Sequence, residues 1–137
     1  MVSTQDLLKI CDKENIMVET ADCPLSGSIS ILLPDGSCYI GIDSETPENE
    51  ILERHAHEIG HCVKGAFYNR FSHFDIISRY ETRADNWAIE LICPYNELIK
   101  QIKKYNDNVY LLSQYFNVSE DFMIKACKHY GIYHEAI

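Results

Sequence analysis

His57-Glu58-Ile59-Gly60-His61 sets two imidazoles four residues apart, with a carboxylate beside the first. These residue types can hold a divalent cation and move a proton next to it. On a helix, positions four apart sit one above the other on the same face, so His57 and His61 can offer two ring nitrogens to one ion. Glu58 lies about 100° round the helix from His57, where its carboxylate reaches an activated water rather than the ion. The H-E-x-x-H pattern is that of zinc proteases: two histidine ligands with the intervening glutamate as general base. The same five residues also fit an amphipathic helix with two histidines on a wet face, so the reading needs a third ligand.

A third ligand is available about twenty residues on. Glu81 and Asp85 are four apart on a stretch where Ala84, Trp87, Ala88 and Leu91 recur at helical spacing, and Pro94 ends the run. The two acids therefore share a face. Glu81 is the candidate third ligand, completing a His-His-Glu set that leaves one coordination position open. Asp85, one turn later, can accept the remaining N–H of a ligand histidine. Without the histidines the pair would read as a solvated helix face. Glu90 is a weaker candidate, having no carboxylate one turn beyond it. Such a site takes zinc, and histidine and carboxylate ligands accept Mn2+ or Fe2+ as well. Between the two motifs, Tyr68, Arg70 and His73 are candidates to stabilise the oxyanion of a tetrahedral intermediate, and spacing does not choose among them. His55 falls on roughly the opposite side of the helix from His57 and reads as a bystander.

The elements that must position these groups are legible in outline. Thr46 can cap the first motif's helix, Pro47 suits its first position, and Glu48 and Glu50 fall in its first turn. Leu52, Ala56, Ile59 and Val63 form its core stripe, and Gly65 can end it. Residues 66–77 read as a loop joining the two ligand-bearing helices. Upstream, Ser3 to Cys11 is a short helix with Ser3 and Asp6 approximating a capping box, and Ile16 to Glu19 is a short strand. Ser28 to Leu33 and Cys38 to Ile42 make a hairpin turned by Pro34-Asp35-Gly36. Such a hairpin can either hold an extended peptide against its edge or simply cover the metal helix. From Tyr95 on the chain reads helical, in segments 96–104, 109–116 and 119–130, the last capped by Ser119. Leu111 to Ser119 has the flavour of a helix-turn-helix, but Lys125 and Lys128 are few basic residues for a DNA reader.

The expected class is α+β, mostly helical, with a small N-terminal sheet packed on the H-E-x-x-H helix. One domain is expected over 1–137: residues 1–45 supply a helix and hairpin, 46–94 the two motif helices, and 95–137 the C-terminal helices. A formal net charge of −9 argues against direct nucleic-acid binding and anionic membranes, and suits a basic protein partner. The opening residues lack a basic region followed by an apolar run, and no run approaches spanning length, so the expectation is a cytoplasmic protein. The six cysteines show no C-x-x-C pair and read as reduced thiols, with Cys62 a small packing residue.

The two motifs together resemble the ImmA/IrrE family of metallopeptidases. The resemblance rests on His57-Glu58-Ile59-Gly60-His61 followed by Glu81-x-x-Ala84-Asp85-x-Trp87-Ala88-x-x-Leu91-Ile92-x-Pro94. Tyr39-Ile40-Gly41-Ile42, Gly65-Ala66-Phe67-Tyr68 and Tyr115-Phe116-Asn117-Val118-Ser119-Glu120 extend it over most of the chain, and the likeness is greatest to short phage and mobile-element members. It implies a zincin-like, gluzincin-type endopeptidase with His57, His61 and Glu81 on zinc and Glu58 as base. It also implies an anti-repressor role, cutting a helix-turn-helix repressor encoded beside it. Many members carry Glu before the Ala of the second motif; Arg83 stands there here, leaving Glu81 the one carboxylate of that pair. The alternatives are a non-catalytic module that holds a repressor around a structural or vestigial metal site, and a DNA-binding regulator.

Overall fold

The computed structural model describes residues 1–25, 27–69 and 71–133. Its first helix, α1 (Thr4–Lys13), starts where the sequence expects. Asp6 N–H donates to Ser3 Oγ at 3.3 Å, and Ser3 N–H returns a bond to Asp6 Oδ2 at 2.8 Å. Leu7 and Cys11, one turn apart, are its buried positions.

Three strands follow: β1 (Ile16–Ala21), β2 (Ser28–Leu32) and β3 (Cys38–Asp43). β3 is central, parallel to β1 and antiparallel to β2. Cys38, Ile40, Gly41 and Ile42 are all buried, as expected of a strand covered on both faces. The β2–β3 turn places Gly36 at φ +89°, a left-handed conformation that costs glycine nothing. β2 lies at the edge of the sheet.

The entry to the second helix differs from expectation. Thr46 does not cap it: its hydroxyl donates to Asp43 O at 2.7 Å, closing the turn after β3. Pro47 stays extended ahead of a short 3-10 turn, Glu48–Glu50, and α2 runs Ile51–Lys64. Leu52, Ala56 and Ile59 are buried, and Gly65 ends the helix in the left-handed conformation. α3 spans Phe74–Ile92, so the last four residues of the expected loop, 74–77, are its first turn. His73 stands at its N-cap with no side-chain bond, so the usual start signal is missing. Pro94 separates α3 from α4 (Tyr95–Tyr105). α5 (Val109–Phe116) and α6 (Glu120–His129) follow, capped by Asn108 and Ser119.

The fold is thus α+β, with a three-stranded sheet against α2 and a largely helical remainder. Leu7, Ile40, Leu52, Ile59, Leu98 and Met123 belong to one core cluster running from the sheet to the C-terminal helices. Cys38 of β3 and Cys62 of α2 form a disulfide, which corrects the expectation of reduced thiols throughout. Packing α2 on the sheet brings their Cα atoms to 6.1 Å, within the reach of a disulfide and invisible in a separation of 24 residues. Cys11, Cys23, Cys93 and Cys127 are free.

Candidate metal centre

A close approach of two helices, α2 and α3, sits inside the first motif. A Cβ built on Gly60 would lie 2.8 Å from Ala84 O and 3.2 Å from Ala84 Cα. A glycine on α2 and an alanine on α3 therefore let the two backbones nearly touch. That crossing carries His57 and His61 against Glu81, three residues before Ala84.

Three ligand atoms converge there. Glu81 Oε2 lies 2.7 Å from His57 Nε2 and 3.3 Å from His61 Nε2, and the two Nε2 atoms are 3.2 Å apart. On a tetrahedron with metal bonds of about 2.0–2.1 Å, ligand atoms stand about 3.3–3.4 Å from each other. Two of the three separations match that figure, and the shortest is a hydrogen bond between ring and carboxylate. The donor set therefore fits one divalent cation.

The outer nitrogens explain why both rings face inward. His57 Nδ1–H donates to Asp85 Oδ1 at 2.7 Å, and His61 Nδ1–H donates to Ala66 O at 2.6 Å. Carboxylate and carbonyl oxygens only accept, so Nδ1 of each ring carries a proton; Nε2 of His57 is protonated too where it donates to Glu81, and would give up that proton to turn its lone pair to a cation. Gly65, by ending α2 in a left-handed turn, brings the Ala66 carbonyl back to the ring of His61.

The cluster is strongly coupled. Burial opposes a charged His57 ring, but Asp85 and Glu81 outweigh it and hold its pKa up at about 10. Burial likewise opposes charge on His61, and the Glu81 carboxylate and Ala66 carbonyl raise its pKa. Burial would raise Glu81, yet bonds from His57, His61 and Tyr68 hold it well below the usual carboxylate range. Asp85 is lowered against its own burial, chiefly by His57.

Glu58 is 6% exposed and points into the same cleft, where its Oε2 accepts a bond from the Ser28 hydroxyl at 2.9 Å. The cleft encloses about 720 Å3 and is walled by β2 on one side and by Phe122 and Lys125 of α6 on another. Of the three oxyanion candidates, Tyr68 stands at the site, its hydroxyl bonded to Glu81 Oε1. His73 is exposed at the start of α3 and does not line the cleft, and Arg70 lies outside the described residues. Glu90 faces away, paired with His129 at 3.0 Å. His55 bonds back to Ile51 O at 2.8 Å and takes no part.

Sequence reasoning missed three contributors. Ser28, thirty residues before Glu58, and Lys125, forty after Asp85, have no local signal. Gly60 lay within the motif, but its purpose appears only once α3 is in place.

The sequence matches the family model described as the IrrE N-terminal-like domain, a peptidase family, over residues 11–128. No curated protein and no solved structure matches it significantly.

Proposed function

Because the chain belongs to the IrrE N-terminal-like family of peptidases, we propose that it is a zinc-dependent endopeptidase. Its substrate in this reading is a helix-turn-helix repressor encoded by the same phage or mobile element. The observation that carries the enzymatic part is the geometry just described: two Nε2 atoms and one carboxylate oxygen within 3.3 Å of each other, with Glu58 beside them. His57, His61 and Glu81 would hold the cation, which would supply Lewis-acid chemistry for the scissile carbonyl and the attacking water.

The chain's own groups do the rest. Glu58 takes a proton from the attacking water and hands it to the leaving amine. Ser28 fixes one oxygen of Glu58, leaving the other for that work. Asp85 and the Ala66 carbonyl keep the ligand rings turned inward. Tyr68 is the hydroxyl at hand for the developing oxyanion. β2 has a neighbour on one side only among the described residues, and Ser28, Ile29 and Ser30 line the cleft. An extended peptide can pair with that edge by main-chain hydrogen bonds.

A basic, DNA-binding substrate suits a chain of net charge −9. No helix among the described residues is long and apolar enough to cross a membrane.

The test is incubation with the neighbouring repressor, followed by mass spectrometry. Cleavage that a chelator stops, and that falls by about 10²- to 10⁴-fold in Glu58→Gln with zinc retained, is the expected result. A Glu58→Gln variant that binds the repressor and relieves repression undiminished would make the protein a holding module instead.

A further inference from the structure

The C-terminal helix reaches both ligand-bearing helices through polar side chains. At its N-terminus, Ser119 donates from its backbone N–H to Glu53 Oε1 at 2.6 Å and from its hydroxyl to Glu53 Oε2 at 3.0 Å. Glu53 lies one turn before His57 on α2. An acidic group at a helix N-terminus is favoured by the unpaired N–H groups and the dipole there. Further along α6, Lys125 Nζ donates to Asp85 Oδ2 at 3.3 Å. Asp85 lies one turn after Glu81 on α3, and its other oxygen holds the His57 ring at 2.7 Å. Phe122, between the two contacts, lines the cleft. One helix thus touches α2 a turn ahead of the first ligand and α3 a turn behind the third.

We propose that α6 is a working part of the metal centre, with Lys125 a positioning residue that fixes the Asp85 carboxylate and, through it, the ring of His57. This rests on the reading of His57, His61 and Glu81 as a metal site. The geometry explains why a half-exposed lysine matters here. Asp85 is a short side chain with one oxygen committed to His57, and its carboxylate plane is set only when the second oxygen is also held. An exposed ion pair adds little to stability. A carboxylate behind a ligand histidine, by contrast, commonly changes metal affinity by about 10- to 100-fold. A helix that served only to pack would show the opposite ratio. The Glu53–Ser119 contact is the anchor that keeps Lys125 within reach.

The experiment measures zinc affinity by competition with a chromophoric chelator, and the visible spectrum of the cobalt(II)-loaded protein. The full chain is used as wild type, Lys125→Met, Lys125→Arg, Asp85→Asn, the Lys125→Met/Asp85→Asn double variant and His57→Ala. The expected result is about a three- to tenfold loss of zinc affinity in Lys125→Met, below the loss in Asp85→Asn. A shifted cobalt spectrum and a melting temperature within a degree or two of wild type should accompany it. Lys125→Arg should recover most of the affinity, and Lys125→Met should add less than about twofold once Asp85 is Asn, because the lysine acts through that carboxylate. If wild type binds zinc and His57→Ala does not, but Lys125→Met matches wild type in affinity and spectrum, the positioning role is wrong and the metal site stands. Losses in Lys125→Met and Asp85→Asn that simply add would also overturn it. If wild type takes up neither metal, the site reading fails and this proposal falls with it.

Discussion

Where α2 crosses α3, Gly60 meets the Ala84 backbone and the space above the contact is filled by two imidazoles and two carboxylates. Around α4, α5 and α6 the positions facing inward are Leu98, Leu112, Phe116, Phe122 and Met123, all buried. The first region gives up side-chain volume to bring backbones together and then places charged groups at the seam. The second packs large apolar side chains and leaves its polar groups mostly outside. Metal ligands must converge within a few tenths of an ångström, and a small-residue crossing supplies that register more tightly than long side chains can. The C-terminal helices carry the hydrophobic burial that keeps such a polar seam folded.

Three measurements bear on that contrast. The largest change in stability should come from the apolar region. Leu112→Ala, at a fully buried position, is expected to lower unfolding stability by about 2–5 kcal/mol in urea titrations. Zinc affinity well below the melting temperature should stay near wild type.

Gly60→Ala should show the reverse pattern. Its new methyl meets a backbone oxygen at 2.8 Å that cannot rotate away. Overpacking of this kind costs about 1–3 kcal/mol, partly offset by alanine's helix propensity of about 1 kcal/mol over glycine. The net loss of stability is therefore small. Because α3 must move away and take Glu81 with it, zinc affinity should fall by about tenfold or more, the scale on which lost outer support costs metal sites. Equal effects of the two substitutions on both quantities would erase the distinction between the regions.

The third effect is on pH dependence. In chelator-treated protein, His57 is raised from 6.5 to about 10. A raised histidine contributes stability that is fully present below its unfolded pKa and is lost as pH climbs through the folded one. The lowered Glu81 and Asp85 act the other way, contributing above the normal carboxylate range and losing it as pH falls. The chelated protein should therefore weaken as pH rises from about 6.5 towards 10. Zinc competes with the His57 proton, so the stabilisation that zinc adds should grow over the same interval. Melting curves with and without zinc from pH 6 to 9 test the sign. A zinc increment that shrinks with rising pH would show that these rings are not where the ion sits.

Local signals account for what the sequence made readable. Ser3, Gly65 and Ser119 are terminus residues whose meaning depends on three or four neighbours, and the structure uses the helix boundaries they mark. The i,i+4 pairs His57/His61 and Glu81/Asp85 were readable for the same reason, since helix geometry alone puts each pair on one face. That the two faces meet is a tertiary fact, and the structure brings them together. What escaped notice was non-local or unsigned. β1 pairs in parallel with β3 across the intervening β2, a relation with no turn residue to announce it. α3 begins without a capping side chain, so its first turn reads as loop. The Cys38–Cys62 bond, the Ser28 support of Glu58 and the Lys125 contact each join elements 24 to 40 residues apart. Thr46 misled because a hydroxyl before a helix can serve the preceding turn as well as the helix itself.

The central claim is that His57, His61 and Glu81 hold one cation between α2 and α3. Metal analysis of the purified chain after zinc exposure and gel filtration, beside His57→Ala and Glu81→Ala, tests it most directly. The account predicts about one zinc per chain in wild type and a small fraction of that in either variant, with all three proteins folded. Wild type without bound metal, or Glu81→Ala retaining zinc at wild-type stoichiometry and affinity, would contradict it.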